Sequence, residues 1–177
     1  MRIKDLGRPI GRKPNVYAWG DSQLVYVYDS ACSYELIKAI KQAGKALYAA
    51  GLPVPAVGEL VEIEGQYCQV YDRNQGRTFA DELLTISGPE EECVGRLAPL
   101  FAEAHAKIHL AGDLGVDLPK QKEHFAEIIK SNSALSSEMK SAVLERLAHL
   151  PERNIVCHGD YHPFNILQSP EGPIIID

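Results

Sequence analysis

Four side chains near the end of the chain have the types and spacing to do chemistry: His158 and Asp160 around Gly159, Asn165 five positions after Asp160, and Asp177 after the apolar run Ile174-Ile175-Ile176. A carboxylate within reach of a hydroxyl can take up its proton. An amide carbonyl and a second carboxylate are hard oxygen donors of the kind magnesium takes, and magnesium offsets the charge that spreads over a phosphoryl group in flight. The set therefore suits phosphoryl transfer, with Asn165 and Asp177 as metal ligands. Short apolar runs at Ile155-Val156, Ile166-Leu167 and Ile174 to Ile176 are bounded by polar residues, with Pro170-Glu171-Gly172 before the last. This predicts two strands joined by a turn, which would bring Asn165 and Asp177 to one end of a hairpin.

The spacing is that of the protein-kinase catalytic loop, His-Arg-Asp followed by Asn, with Gly159 in place of Arg. The longer string from His158 through Tyr161-His162-Pro163-Phe164 to Leu167, with Ile-Ile-Ile-Asp177, resembles the aminoglycoside phosphotransferase and choline kinase-like family of small-molecule kinases. That resemblance implies an α+β, protein-kinase-like bilobal fold. An antiparallel N-terminal sheet with one helix, residues 1–75, would be the nucleotide-binding lobe, and residues 76–177 a mostly helical catalytic lobe. It further implies ATP and magnesium as cofactors, a small-molecule hydroxyl as acceptor, Asp160 as proton acceptor and His158 as a brace for the loop. The alternative for the motif alone is a strand-turn-strand in which His158 and Asp160 only satisfy a tight turn.

Composition narrows the partners. The chain has 177 residues, 18 Lys and Arg against 24 Asp and Glu, and a formal charge of −6. It lacks the basic face that nucleic acid requires. No apolar stretch is long enough to span a bilayer. Cys32, Cys68, Cys93 and Cys157 have no zinc-site spacing and read as reduced thiols, which places the protein in the cytoplasm.

The elements that must position the nucleotide begin with a hairpin, Val16 to Gly20 and Leu24 to Tyr28, around Gly20-Asp21-Ser22. By resemblance, a phosphate-covering loop would precede it and include Gly11, but Lys13-Pro14 stand where small residues are expected, and proline removes a donor. The family's strand lysine, which bonds the α- and β-phosphates, aligns with Tyr26. The helix glutamate that pairs with it aligns near Ile40 in the helix expected from Glu35 to Ala50. Both halves of that ion pair are replaced, and Tyr26 against Ile40 is expected to pack. Lys38 and Lys41 read as a solvated helix face. A second hairpin is expected from Val57 to Ile63 and Gln66 to Tyr71, leading by resemblance to a hinge at Tyr71 and Asp72 where main-chain groups meet adenine.

Beyond Thr78 the pattern turns helical. A helix start is expected at Ser87-Gly88-Pro89-Glu90, with a kink at Pro99, and His105 and His109 on one face as core histidines rather than a metal pair. Two further helices, Lys122 to Lys130 and Ser136 to Leu150, are expected to bury Phe125, Ile128, Ile129, Met139, Val143 and Leu147 as helix-packing core. The family continues past the metal-binding Asp, so the second lobe is expected to be truncated at Asp177 or completed by a second copy in a homodimer. Two functions compete: an ATP-dependent small-molecule phosphotransferase, and a catalytically impaired, pseudokinase-like binding module or remnant.

Overall fold

The computed structural model describes residues 2–11, 13–85, 88–116, 120–153 and 155–176. Strands β1 (Val16–Trp19) and β2 (Gln23–Val27) form the first hairpin, and β3 (Val57–Ile63) and β4 (Gln66–Asp72) the second. β4 inserts between β2 and β3, so the antiparallel sheet runs β1-β2-β4-β3. Alternation then separates its faces. Val25, Val27, Cys68 and Val70 form one core with Ile63, backed by Trp19 and by the 3-10 turn Ile3–Leu6. Tyr26 and its cross-strand partner Gln69 face the other way.

Helix α1 (Tyr34–Ala49) packs on β3 and β4, with Tyr34 and Tyr67 rings 5.1 Å apart. Ser33 caps its start by accepting from Leu36 N–H at 3.2 Å, which satisfies one of the amides a helix leaves open. The expected packing of Ile40 on Tyr26 is corrected here. Ile37 is the buried residue of the helix, at 1% exposure, whereas Ile40 is 39% exposed. The hydrophobic stripe is real, but its centre lies one turn earlier.

A second antiparallel sheet runs β5-β6-β7, from β5 (Arg77–Thr78), β6 (Ile166–Ser169) and β7 (Gly172–Ile175). The β6–β7 hairpin has the expected form, with Ile166 opposite Ile175. β5 was not expected as a strand, because two residues carry no periodicity. It pairs through a close approach at Gly76, where a Cβ would collide with the carbonyl oxygen of Gln168.

Helices α2 (Phe79–Leu84) and α3 (Glu90–Leu110) cover this sheet. Phe79, Leu97, Ala104, Ile108, Val156, Ile166 and Ile175 make one buried cluster, and Phe79 alone contributes about 1.5–3 kcal/mol by burial. α3 begins at Glu90 with three glutamates in its first turn, favourable at a helix N-terminus. It runs on through Pro99, and Ser87 of the expected start lies outside the described residues.

The pair α4 (Gln121–Ser131) and α5 (Ser137–His149) departs from expectation. Phe125, Ile128, Met139 and Val143 are exposed rather than core, because these two helices pack chiefly against each other. Among the described residues, no helix is long and apolar enough to cross a membrane.

Candidate active site

The loop from Val156 to Asn165 is anchored at both ends. Val156 enters from the buried cluster, and Asn165 leaves into β6 at 3% exposure. Ile175 N–H donates to Pro53 O at 2.7 Å, which ties β7 to the junction that follows α1. Gly159 has φ of +84°, a left-handed conformation that a side chain makes costly. This is a local reason for Gly where protein kinases carry Arg.

Within the loop the polar groups converge. Asp160 N–H donates to His158 Nδ1 at 3.3 Å, and Asn165 Nδ2 donates to Asp160 O at 3.2 Å and Oδ2 at 3.4 Å. His162 Nε2 also lies 3.3 Å from Asp160 Oδ2. The Asp160 side chain remains 74% exposed, open to an incoming hydroxyl. His158, Asp160 and Asn165 are thus brought together, and His162 joins them.

The support comes from α3. Tyr161 donates its hydroxyl to Phe101 O at 2.6 Å, and its ring lies parallel to His105 at 4.2 Å and edge-on to His158 at 5.5 Å. Burial pushes the Tyr161 phenol up to about 12. Burial also lowers the pKa of His105, helped by the nearby His109 and His158 rings. The core-histidine expectation is therefore corrected. His109 is exposed and His105 half-buried, and His105 stacks on Tyr161 of the loop. Tyr161, His162 and His105 make contacts in this loop that the sequence did not single out, although Tyr161 and His162 lie between Asp160 and Asn165 in the motif itself.

A magnesium ion fits these residues by donor chemistry. Asn165 Nδ2 is committed to Asp160, so the amide's remaining acceptor is Oδ1, a hard oxygen. Among the described residues no three His, Cys, Asp or Glu side chains form a metal cluster. None is required, since magnesium keeps waters and phosphate oxygens and takes only one or two protein ligands. Ile176 N–H donates to Asn165 O at 2.9 Å, so strand pairing reaches the residue before Asp177. Asp177 itself lies outside the described residues.

The residues expected to meet the nucleotide form a separate group. Gly11 sits in an exposed turn before β1. Tyr26 packs its ring against Tyr28 at 4.9 Å, and Tyr28 is hydrogen-bonded to Tyr71, with its phenol pKa raised by burial and by Tyr71. Asp72 N–H donates to Ala56 O at 3.1 Å and Arg73 N–H to Ser22 O at 2.9 Å, so both amides serve the sheet. Of the two helix lysines, Lys38 is solvated as expected, beside Glu35 at 3.5 Å. Lys41 is only 18% exposed and lies 3.6 Å from Glu59.

This architecture resembles solved aminoglycoside phosphotransferases. APH(3'')-Id from Streptomyces rimosus, solved in complex with ADP and streptomycin, superposes with a TM-score of 0.66 at 16% identity, covering 92% of this chain and 67% of that one. An aminoglycoside-3'-phosphotransferase of type VIII gives 0.53 at 23% identity, covering 97% of this chain and 68% of that one. No curated protein matches the chain. The likeness shows the kinase-like fold that the motif implied, with an antiparallel N-terminal sheet carrying α1 followed by a mainly helical part. The profile of the phosphotransferase enzyme family matches residues 11–177, so that loop, hairpin and fold agree, and the chain belongs to that family.

Proposed function

We propose that this chain transfers the γ-phosphate of ATP to a hydroxyl of a small molecule, with residues 1–75 as the nucleotide-binding lobe and 76–177 as the catalytic lobe. The observation that carries the reading is the exposed Asp160 carboxylate, fixed on its inner side by Asn165 and open on the other. Asp160 accepts the proton of the acceptor hydroxyl, and His158 braces the loop through its Nδ1. Asn165, with Asp177, would hold magnesium, which when bound would neutralise phosphate charge. Gly11, Tyr26 and Tyr71 would wall the nucleotide site. Because the Asp72 and Arg73 amides are engaged in the sheet, adenine would be met by main-chain groups just beyond, at 74–75. Free cysteines support a reducing, cytoplasmic setting.

The neighbour solved with streptomycin makes aminoglycosides the first acceptors to screen, followed by other polar alcohols. Turnover of ATP that depends on both magnesium and an acceptor would establish the reading. A second reading rests on a specific observation: Tyr26 and Ile40 stand where the charged phosphate clamp is expected, which favours a binding module. Calorimetry separates the two. Magnesium-dependent ATP binding without turnover, across the acceptor screen, would leave the binding module standing.

A further inference from the structure

His162 has no part in the reading above, yet its imidazole touches both residues on which that reading depends. Its Nδ1 accepts from Phe164 N–H at 3.2 Å and so caps the 3-10 turn Pro163–Asn165. A ring nitrogen that accepts has no proton, so the neutral ring carries its hydrogen on Nε2. Asp160 Oδ2 lies 3.3 Å from Nε2, and Asn165 Nδ2 is 3.4 Å from the same nitrogen. Two donors cannot bond each other. Nδ2–H donates to Asp160 Oδ2 at 3.4 Å, and Nε2 stands 3.3 Å from the same oxygen.

We infer that His162 is a positioning residue for Asp160. By donating from Nε2 it occupies Oδ2 together with Asn165, which leaves Oδ1 as the oxygen presented to the acceptor hydroxyl. The same contact holds the Asn165 amide with its nitrogen inward and its carbonyl oxygen turned away from Asp160. His162 thus sets which carboxylate oxygen receives the proton and which end of the Asn165 amide is free for a cation. It touches no reacting atom itself. The inference rests on Asp160 being the base, as proposed above.

Two substitutions divide the roles of the ring. His162→Asn keeps an acceptor where Nδ1 lies but has no donor at the Nε2 position, and His162→Gln has the opposite pattern. With the full chain, His162→Asn is expected to keep its Tm while kcat falls about ten- to a hundredfold at little-changed KM for ATP, the scale of a misplaced catalytic group. His162→Gln is expected to lose Tm but to recover part of that turnover. Activity that follows Tm across the two variants would overturn the inference. Nitrogen-15 spectra of labelled histidine, taken at pH 8, provide a readout that needs no turnover. The expected His162 signature is the Nε2–H tautomer, with ring shifts that move in Asp160→Ala. An Nδ1–H tautomer, or shifts indifferent to that change, would refute the positioning role. If the wild-type chain shows no turnover, the proposed activity fails, while the spectra still decide whether His162 holds Asp160.

Discussion

The loop from Val156 to Asn165 and the Tyr26 face of the N-terminal sheet treat charge in opposite ways. In the loop, Asp160, His162 and Asn165 lie within six consecutive positions and bond one another. On the sheet, Tyr26, Tyr28 and Tyr71 form an aromatic group, with buried Gln69 opposite Tyr26. The difference follows from how each site is built. A constellation contained in one turn needs only that turn to be correct. A clamp between a strand and a helix needs two distant residues to match, and either charge left alone near a protein interior is costly. Under the proposed reading, uncharged residues at both positions would keep the fold while removing a phosphate partner.

The comparison breaks most readily at Asp160. Asp160→Ala is expected to lower kcat by about two to four orders of magnitude, the usual contribution of a general base. Its exposed side chain predicts an unchanged Tm. Activity retained in this variant would remove the loop from the chemistry altogether. Gly76→Ala tests whether the loop depends on the second sheet. A Cβ against Gln168 O is expected to cost about 1–3 kcal/mol, or roughly 2–4 °C of Tm for each kcal/mol in a chain of this length. Turnover should fall with it, because β5 and β6 carry the loop's exit, and ATP affinity should fall less, because only the adjoining main chain at 74–75 would shift. Equal losses in both would mean the two regions are not separable.

Tyr26→Lys sharpens the other side. A lysine there would face phosphates from a half-exposed strand, an interaction worth about 1 kcal/mol after screening, or roughly fivefold in Kd. Calorimetry with magnesium and ATP would read it. Tighter binding would show that the clamp is the missing element. Unchanged binding would mean that the phosphates are held from elsewhere and that the sheet serves only as a wall.

The same contrast explains what the sequence revealed. The β6–β7 hairpin, the two N-terminal hairpins and α1 are legible because each is a local pattern of period two or near four, closed by turn residues or capped by Ser33. The Asp160–Asn165 contact is legible for the same reason. β5 was not, since its pairing depends on contact with Gln168, some ninety positions later, as the numbering shows. Nor was the exposure of the α4–α5 pair, because periodicity tells which face of a helix is apolar and not what covers it. The spacing of His105 and His109, with no metal-site glutamate between them, points to core histidines. The stacking of His105 on Tyr161 joins two segments that no sequence spacing connects.

That stack gives the smallest prediction and the one that most directly separates the two regions by pH. Tyr28 has its pKa raised, so it does not titrate as the solution is acidified. His105 has its pKa lowered below the ordinary 6.5, by burial first and by His109 and His158 next. The folded protein therefore favours neutral His105 more than the unfolded chain does, and between the two pKa values the unfolded chain binds more protons. Stability from this residue is complete above about pH 6.5 and declines as pH falls through the lower folded value. Acidification is therefore expected to lower the Tm of the wild-type chain more than that of His105→Gln, which lacks the titration. The loss should appear together with a loosened Tyr161, readable as a change in near-ultraviolet dichroism. An acid dependence identical in His105→Gln would place the sensitivity outside the support of the catalytic loop.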